Sequence, residues 1–341
     1  MILNTLILLS IGFISLYFGA KLCIIGLEDL AHNFGISHLL VGLTILSIGT
    51  SLPEIAVSII GGLDKLTGID STIDGIIIGN KVGSFMVNIT LIIGILATTT
   101  PVLISKWELR RDIPMLFISF LIFVILSIDG YISQIDAILM ILFYVIYLLF
   151  IIWSERRIAT AKPEVRFSKK QELTPEDFSI IDTRLKKSSN KKAIVFFISG
   201  LLILLLSAEI TILNAHDLAR ELSIPENVIG IFIVGIGTSL PELIADLTAL
   251  RRHSYGLAVG DILGSNVCDI LLAAGSGAVI VDFRVAPVIM FFDLPILFLA
   301  IIFTSYFLWT EKRLQRWEGG FLIGFFVVYT IIKLFFFQKI T

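Results

Sequence analysis

Long apolar windows alternate with short polar segments along almost the whole chain. A helix needs about 20 apolar residues to cross the hydrocarbon core of a bilayer, and ten windows of this kind can be placed. The pattern therefore predicts an all-α polytopic membrane protein with ten transmembrane helices. The predicted spans are 3–25, 38–62, 72–97, 112–128, 134–152, 193–215, 226–250, 257–280, 287–308 and 318–337.

Composition agrees with this pattern and narrows the function classes. The 341 residues are 56% hydrophobic with a mean hydropathy of +0.96, whereas soluble domains average about 45–50% apolar residues. The net charge of −2 argues against a nucleic-acid partner. Cys23 and Cys268 both fall inside apolar windows and are expected to be small buried residues rather than a disulfide. No nucleophile–base set, phosphate loop or metal-hydrolase motif occurs, so we expect neither an enzyme nor a cofactor.

Two segments of the chain are repeated in the same order. The hexapeptide Gly-Thr-Ser-Leu-Pro-Glu occurs at 49–54 and again at 237–242, and the related segments 79–88 and 260–269 follow. Each copy belongs to a group of five predicted helices. Because five crossings are an odd number, the second group must insert upside down, which gives an inverted-topology repeat. The predicted division is a first repeat at 1–152, a loop at 153–192 and a second repeat at 193–341.

The distribution of basic residues predicts the orientation. The loop 153–192 holds eleven Lys and Arg against six Asp and Glu, and further basic residues cluster at 106–111, 251–252 and 312–316 on the same predicted side. Basic loops are typically cytoplasmic, so we expect a protein of the plasma membrane with both termini extracellular. The loop fits either a solvated linker that fixes topology or a regulatory segment.

The repeated hexapeptides carry the chemistry. Pro53 and Pro241 have no N–H, so the carbonyl groups four residues earlier lose their helical partner. Freed carbonyls, hydroxyl groups and the carboxylates of Glu54 and Glu242 form an all-oxygen ligand set, which hard cations such as Ca²⁺ and Na⁺ prefer. Polar side chains can also merely join helices by hydrogen bonds. Two intramembrane Glu residues in duplicated motifs favour a functional site, because buried ionisable groups are costly.

The paired motifs resemble the two alpha repeats of the cation/calcium exchanger superfamily, in particular its prokaryotic sodium/calcium exchangers. The resemblance covers nearly the whole chain. It implies a ten-helix fold with alternating access, in which three Na⁺ and one Ca²⁺ compete for overlapping sites. In this resemblance, the pairing of Asn88 in one repeat with Asp269 in the other is typical of the sodium/calcium branch rather than of the potassium-dependent branch. The positions that match the family's ion ligands are Thr50, Ser51, Glu54, Ser84, Asn88, Thr238, Ser239, Glu242, Ser265 and Asp269.

From this resemblance we expect an antiporter that uses inward Na⁺ movement to drive Ca²⁺ out of the cell. Ca²⁺, Na⁺ and the lipid bilayer are the expected partners, and the oligomeric state stays open. A Ca²⁺/H⁺ antiporter, in which the same Glu residues bind protons instead of Na⁺, remains an alternative. An uncoupled channel and a transport-inactive cation sensor are further alternatives.

Lys81 departs most from the family pattern. It lies three residues before Ser84 and seven before Asn88, so its helical phase points toward the same face. Three interpretations remain open: the ammonium reaches an aqueous vestibule or interface, it pairs with Asp261, or it acts as a tethered cation that replaces one bound Na⁺. Asp261 itself stands where the first repeat has Asn80, so both Lys81 and Asp261 are possible modulators of the site.

Overall fold

The computed structural model describes residues 2–33, 47–68, 73–99, 102–103, 106–161, 189–251, 255–310 and 313–337, and these are mostly helical. We label the helices of these residues in chain order. They are α1 Ile2–Asn33, α2 47–67 (Ser47–Thr50 and Leu52–Thr67), α3 Asp74–Thr99, α4 Lys106–Leu126, α5 Gln134–Ala161, α6 Asn190–Leu222, α7 Glu226–Arg251, α8 255–278, α9 Ile289–Thr310 and α10 Arg316–Phe337. Four short strands join them: β1 Val102–Leu103, β2 Tyr131–Ile132, β3 Phe283–Arg284 and β4 Arg313–Leu314.

The helical class predicted from the sequence is confirmed. Eight of the helices in the described part of the chain are long and apolar enough to cross a membrane. The other two are α2, whose longer piece has 16 residues, and α4, which has five charged residues among its first seven. Within that charged start, Arg111 and Asp112 are buried and form an ion pair of 2.6 Å. Ten membrane crossings therefore remain a prediction.

The helix bounds differ from the predicted spans mainly at the ends that carry charge. Helix α5 continues past residue 152 to Ala161, and α6 continues past residue 215 to Leu222. Apolar windows end where polar residues begin, but helix formers such as Glu and Arg extend a helix without interruption. The first residues of the second predicted span, 38–46, and most of the predicted loop 153–192 lie outside the described residues.

Helices α1 and α6 are the first helices of the two predicted repeats, and they pack against each other in opposite directions. Gly19 of α1 contacts Gly200 of α6, whereas Gly26 further along α1 contacts Ala193 earlier in α6. A Cβ atom on Gly200 would lie 2.6 Å from the backbone nitrogen of Cys23. Only glycine permits this approach, so the two backbones meet almost without intervening side chains.

Two short antiparallel ribbons connect the helix ends. Strand β1, between α3 and α4, pairs with β4, between α9 and α10, in the register Val102–Leu314. Strand β2, between α4 and α5, pairs with β3, between α8 and α9, in the register Ile132–Phe283. Each ribbon therefore links one predicted repeat to the other.

Burial separates a central group of helices from a peripheral group. Side chains of α3 and α8 are almost all inaccessible, and they contribute much of the apolar core. The outer helices instead present large apolar side chains, among them Ile135, Leu202 and Phe335, with exposed fractions above one half. An apolar outer surface of this extent is suited to contact with lipid, and it leaves the polar chemistry to the centre.

Candidate functional site

Both hexapeptides break their helix at the same residue and in the same way. Ser51 has φ −81° and ψ 4°, and Ser239 has φ −82° and ψ 3°. The helix resumes at the next residue in each copy, and the following proline accounts for the interruption because it cannot donate to the preceding turn. The two copies therefore present their hydroxyl and carboxylate side chains with matching backbone geometry.

A close crossing of α3 and α7 brings the second break next to α3. A Cβ atom on Gly235 of α7 would lie 3.0 Å from the backbone carbon of Gly83 and from the nitrogen of Ser84. Glycine at these positions allows the helices to approach until Ser84 and Ser239 meet, with their Oγ atoms 2.9 Å apart. This contact links the motif of one repeat to the hexapeptide of the other.

Ser84 is the meeting point of four helices. Its hydroxyl group lies 2.9 Å from Oδ2 of Asp269 on α8 and 3.3 Å from Oε1 of Glu54 on α2, in addition to its contact with α7. A serine hydroxyl has one proton, so it can donate to only one of the two carboxylates at a time. The carboxylate that does not accept this proton is left without a donor from Ser84, and a bound cation would neutralise its charge.

Two further polar contacts cross between the predicted repeats. The hydroxyl groups of Thr50 on α2 and Ser265 on α8 lie 3.2 Å apart. Asn80 Nδ2 on α3 donates to Thr238 Oγ1 on α7 at 2.9 Å. Each contact joins a hexapeptide to the third helix of the opposite repeat.

Asn88 and Asp269 lie in π-helical turns, which the sequence analysis did not predict. The turn Val87–Ile92 contains Asn88, and the turn Cys268–Ala273 contains Asp269. The two turns occupy equivalent positions in the repeated segments. π-Helical turns are frequent at functional sites because they rotate side chains out of the regular helical register. Periodicity alone carries no signal for such a turn.

All ten predicted ligands are buried, and none exposes more than 1% of its surface. Several of their polar atoms have no hydrogen-bond partner among the described residues. These atoms are Ser51 Oγ, Glu54 Oε2, both side-chain polar atoms of Asn88, both carboxylate oxygens of Glu242, and Asp269 Oδ1. Buried polar atoms without partners are costly, and a bound hard cation would satisfy the oxygens.

The donor set is mixed rather than purely acidic. Within the described ranges, no three His, Cys, Asp or Glu side chains form a cluster that could hold a metal ion by themselves. Hydroxyl and amide oxygens lie between the three carboxylates. Such a set of neutral and charged oxygens suits Na⁺ or Ca²⁺ and does not suit transition metals, which favour nitrogen and sulfur ligands.

Lys81 lies inside this centre. Its side chain is fully buried, and its ammonium donates to the backbone carbonyl of Glu54 at 2.6 Å and to Asn80 Oδ1 at 2.7 Å. The interpretation that Lys81 reaches an aqueous surface is therefore wrong, and so is the interpretation that it pairs with Asp261. The third interpretation, a tethered cation that replaces one bound Na⁺, stays a prediction.

Asp261 has a different partner. Its carboxyl group lies within hydrogen-bonding reach of that of Asp246, and the two carboxyl groups have no other hydrogen-bond donor among the described residues. The sequence analysis placed neither Asp246 nor Asn80 in the site. A signal was present for Asp246, because it follows Glu242 by four residues and so shares its helix face, whereas Ser58 occupies the equivalent place after Glu54.

A cavity of about 60 Å³ reaches the edge of the polar centre. Tyr17, Lys21 and Ile24 of α1 line one side, and Pro241 of α7 lies on another. Thr50 is the predicted ligand that contacts the cavity. The centre is thus approached from between α1 and the two broken helices.

Comparisons with known proteins agree with this architecture. A family model described as sodium/calcium exchanger protein matches residues 4–153 and 192–335, which include both hexapeptides. An uncharacterized membrane protein of Methanocaldococcus jannaschii is 30% identical over 319 residues, covering 93% of this chain and 94% of that protein. The sodium/calcium exchanger MaX1 of Methanosarcina acetivorans is 28% identical over 358 residues, covering 97% and 99%. Among solved structures, the sodium-calcium exchanger NCX_Mj soaked with Na⁺ and Sr²⁺ matches with a TM-score of 0.60 at 26% identity, covering 96% of this chain and 98% of that one.

Proposed function

Because the chain belongs to the sodium/calcium exchanger family, we propose that this integral membrane protein exchanges Na⁺ for Ca²⁺ by alternating access. The observation that carries the proposal is the polar centre at Ser84. There the two broken helices and their third-helix partners bring three buried carboxylates together with hydroxyl and amide oxygens, many of them without hydrogen-bond partners. Such a centre fits ions that bind, are occluded and leave again.

The ten buried residues of this centre are the proposed ion ligands. Glu54 and Glu242 would be shared between Ca²⁺ and Na⁺, since both carboxylates carry oxygens that no protein donor satisfies. Asp269 and Ser84 would complete the set from the third helix of each repeat. Ca²⁺ and Na⁺ would then compete for the same oxygens, which is the condition for exchange rather than simultaneous transport.

Two inverted repeats of five helices would provide the alternating access. Three features of the fold support this: the antiparallel packing of α1 against α6, the matching breaks at Ser51 and Ser239, and the two ribbons that each pair a strand of one repeat with a strand of the other. Rocking of one group of helices against the other around a fixed centre is the usual mechanism for such folds. Basic residues at 251–252 and in 153–192 favour a cytoplasmic position for those segments, and with ten crossings both termini would then lie outside the cell.

The cavity beside Thr50 supports an access path to the ions. The cavity lies beside the half of α7 that follows Glu242. This half of the helix ends at Arg251, which is expected at the cytoplasmic surface. Lys21 lines this path, so a cation that enters here would pass a basic side chain before it reaches the carboxylates.

The test is ⁴⁵Ca²⁺ uptake into proteoliposomes that contain the purified protein. We expect uptake when the vesicles are loaded with Na⁺ and diluted into Na⁺-free buffer, and no uptake when Na⁺ is present at equal concentrations on both sides. Uptake driven by an outward H⁺ gradient without Na⁺ would instead support Ca²⁺/H⁺ antiport. Ca²⁺ movement that needs no counter-ion and follows voltage would indicate a channel, and absence of any movement with retained Ca²⁺ binding would indicate a sensor.

A further inference from the structure

The position of Lys81 has a consequence for how many ions this centre can hold. The lysine lies on α3 one turn before Ser84, and its side chain is completely buried. Its ammonium is held by two neutral oxygens, the backbone carbonyl of Glu54 and the amide oxygen of Asn80. Carbonyl and amide oxygens are ligands that a hard monovalent cation also uses.

Within the described ranges, the ammonium forms no direct ion pair with a carboxylate. The carboxylates that act on it electrostatically are those of Glu54, Asp269 and Glu242, which are the three acids of the proposed ion site. Its positive charge is therefore balanced by the same groups that would balance transported ions. The centre thus contains one permanently attached cation.

The second repeat offers no counterpart to this charge. Ile262 occupies the position equivalent to Lys81, and it is fully buried. The lysine therefore adds a single unit of positive charge to one side of the centre. If Glu54, Glu242 and Asp269 are ionised they total −3, and the ammonium reduces this to −2. One Ca²⁺ or two Na⁺ neutralise a charge of −2.

We propose that the Lys81 ammonium takes the place of one Na⁺, so that the protein exchanges two Na⁺ for each Ca²⁺ and moves no net charge. This inference rests on the proposed exchange function and specifies its stoichiometry. The pair Asp246–Asp261 stays the same when Lys81 is replaced, so a comparison of the wild type with a Lys81 variant isolates the charge of the lysine.

The experiment measures the ion gradients at which net ⁴⁵Ca²⁺ flux is zero in proteoliposomes, with the membrane potential set by K⁺ and valinomycin. For the wild type, a tenfold Na⁺ gradient should balance a Ca²⁺ gradient of about 100-fold, independent of the membrane potential. For Lys81→Met, the balancing Ca²⁺ gradient should rise to about 1,000-fold at zero potential and shift with the potential. The matched control is Lys65→Met, the same change at a lysine that pairs with Asp74 near the protein surface, and it should behave as wild type.

A second measurement covers a variant that folds but does not transport. Equilibrium ²²Na⁺ binding to the purified proteins should show one more Na⁺ bound per Lys81→Met molecule than per wild-type molecule. The inference would be overturned if wild type and Lys81→Met bound the same number of Na⁺ ions. It would also be overturned if the two proteins reached zero Ca²⁺ flux at the same gradients with the same dependence on voltage. A wild type without Na⁺-driven Ca²⁺ uptake would overturn the proposed function instead, and the binding count would still decide whether the lysine displaces a monovalent ion.

Discussion

Two lysines in the part of the chain that the structure describes are completely buried within helices, and their surroundings differ. Lys333 on α10 forms an ion pair of 2.5 Å with Asp293 on α9, and Tyr329 donates to the other oxygen of the same carboxylate at 2.8 Å. Among the described residues, Lys81 on α3 bonds to two neutral oxygens, and the carboxylates that balance it belong to the candidate ion site. Burial alone therefore does not distinguish a structural lysine from one that shares its charge with a binding site.

The difference lies in which process each charge affects. The charge of Lys333 is neutralised by Asp293, so the pair acts as a unit that joins α9 to α10. The charge of Lys81 is spread over acids that also bind ions. Two unit charges about 4 Å apart at an effective dielectric constant near 20 interact by about 4 kcal/mol. An ammonium inside the site is therefore strong enough to exclude a monovalent ion.

The largest expected effect comes from removing the acids that face Lys81. Glu54→Gln and Glu242→Gln should each abolish Na⁺-dependent Ca²⁺ uptake while the protein remains folded. The amide keeps the shape of the side chain but loses a charge, and each lost charge-assisted contact weakens ion binding by about 10- to 100-fold. Glu221→Gln, at the end of α6 and half-buried, is the matched control and should transport normally. Near-normal uptake by either site variant would remove that Glu from the ligand set.

The next effect concerns the structural lysine. Asp293→Asn leaves the Lys333 ammonium buried without its carboxylate, which should cost about 3–5 kcal/mol of stability. The double variant Asp293→Asn/Lys333→Met removes both charges and should recover most of that loss. Thermal unfolding of the detergent-solubilised proteins measures both effects. We expect the ratio of Na⁺ to Ca²⁺ to stay unchanged in either variant, because this pair lies outside the candidate ion site.

Much of the fold was predictable from the sequence, for a physical reason. A membrane-spanning helix needs an apolar window about as long as the bilayer is thick, so hydropathy identifies the helices directly. The sites of the two breaks follow from Pro53 and Pro241. The continuation of α5 past residue 152 to Ala161 was not predictable, because hydropathy reports where the lipid ends and not how far a helix continues beyond it.

The composition of the candidate site was predicted better than its contacts. The repeated motifs point to residues such as Glu54 and Ser84, but no periodicity predicts the π-helical turns that carry Asn88 and Asp269. The location of Lys81 depends on its rotamer and on the close approach of neighbouring helices. Helical phase gives the direction of a side chain but not its depth, so three interpretations fitted the sequence, and the structure contradicts two of them.

The smallest expected change in stability comes from converting the surroundings of Lys81 into those of Lys333. Asn80→Asp would place a carboxylate where the amide oxygen now accepts from Lys81, similar to the partnership of Asp293 with Lys333. The new charge-assisted bond should add about 1 kcal/mol. The lost amide donor to Thr238 should cost a similar amount. The net change in unfolding free energy should therefore be within about 1 kcal/mol.

The same substitution should nevertheless change the coupling between ions. With a carboxylate of its own, the Lys81 ammonium would no longer draw on the acids of the site, and room for a third Na⁺ would return. The Ca²⁺ gradient at zero net flux should then become voltage-dependent, as for Lys81→Met, although the lysine is still present. Asn214→Asp, the same change on α6 at a half-buried residue that bonds only within its own helix, should leave the balance point unaltered. If Asn80→Asp also leaves it unaltered and independent of voltage, the charge of Lys81 is not shared with the transported ions, and the two buried lysines are alike in function as well as in burial.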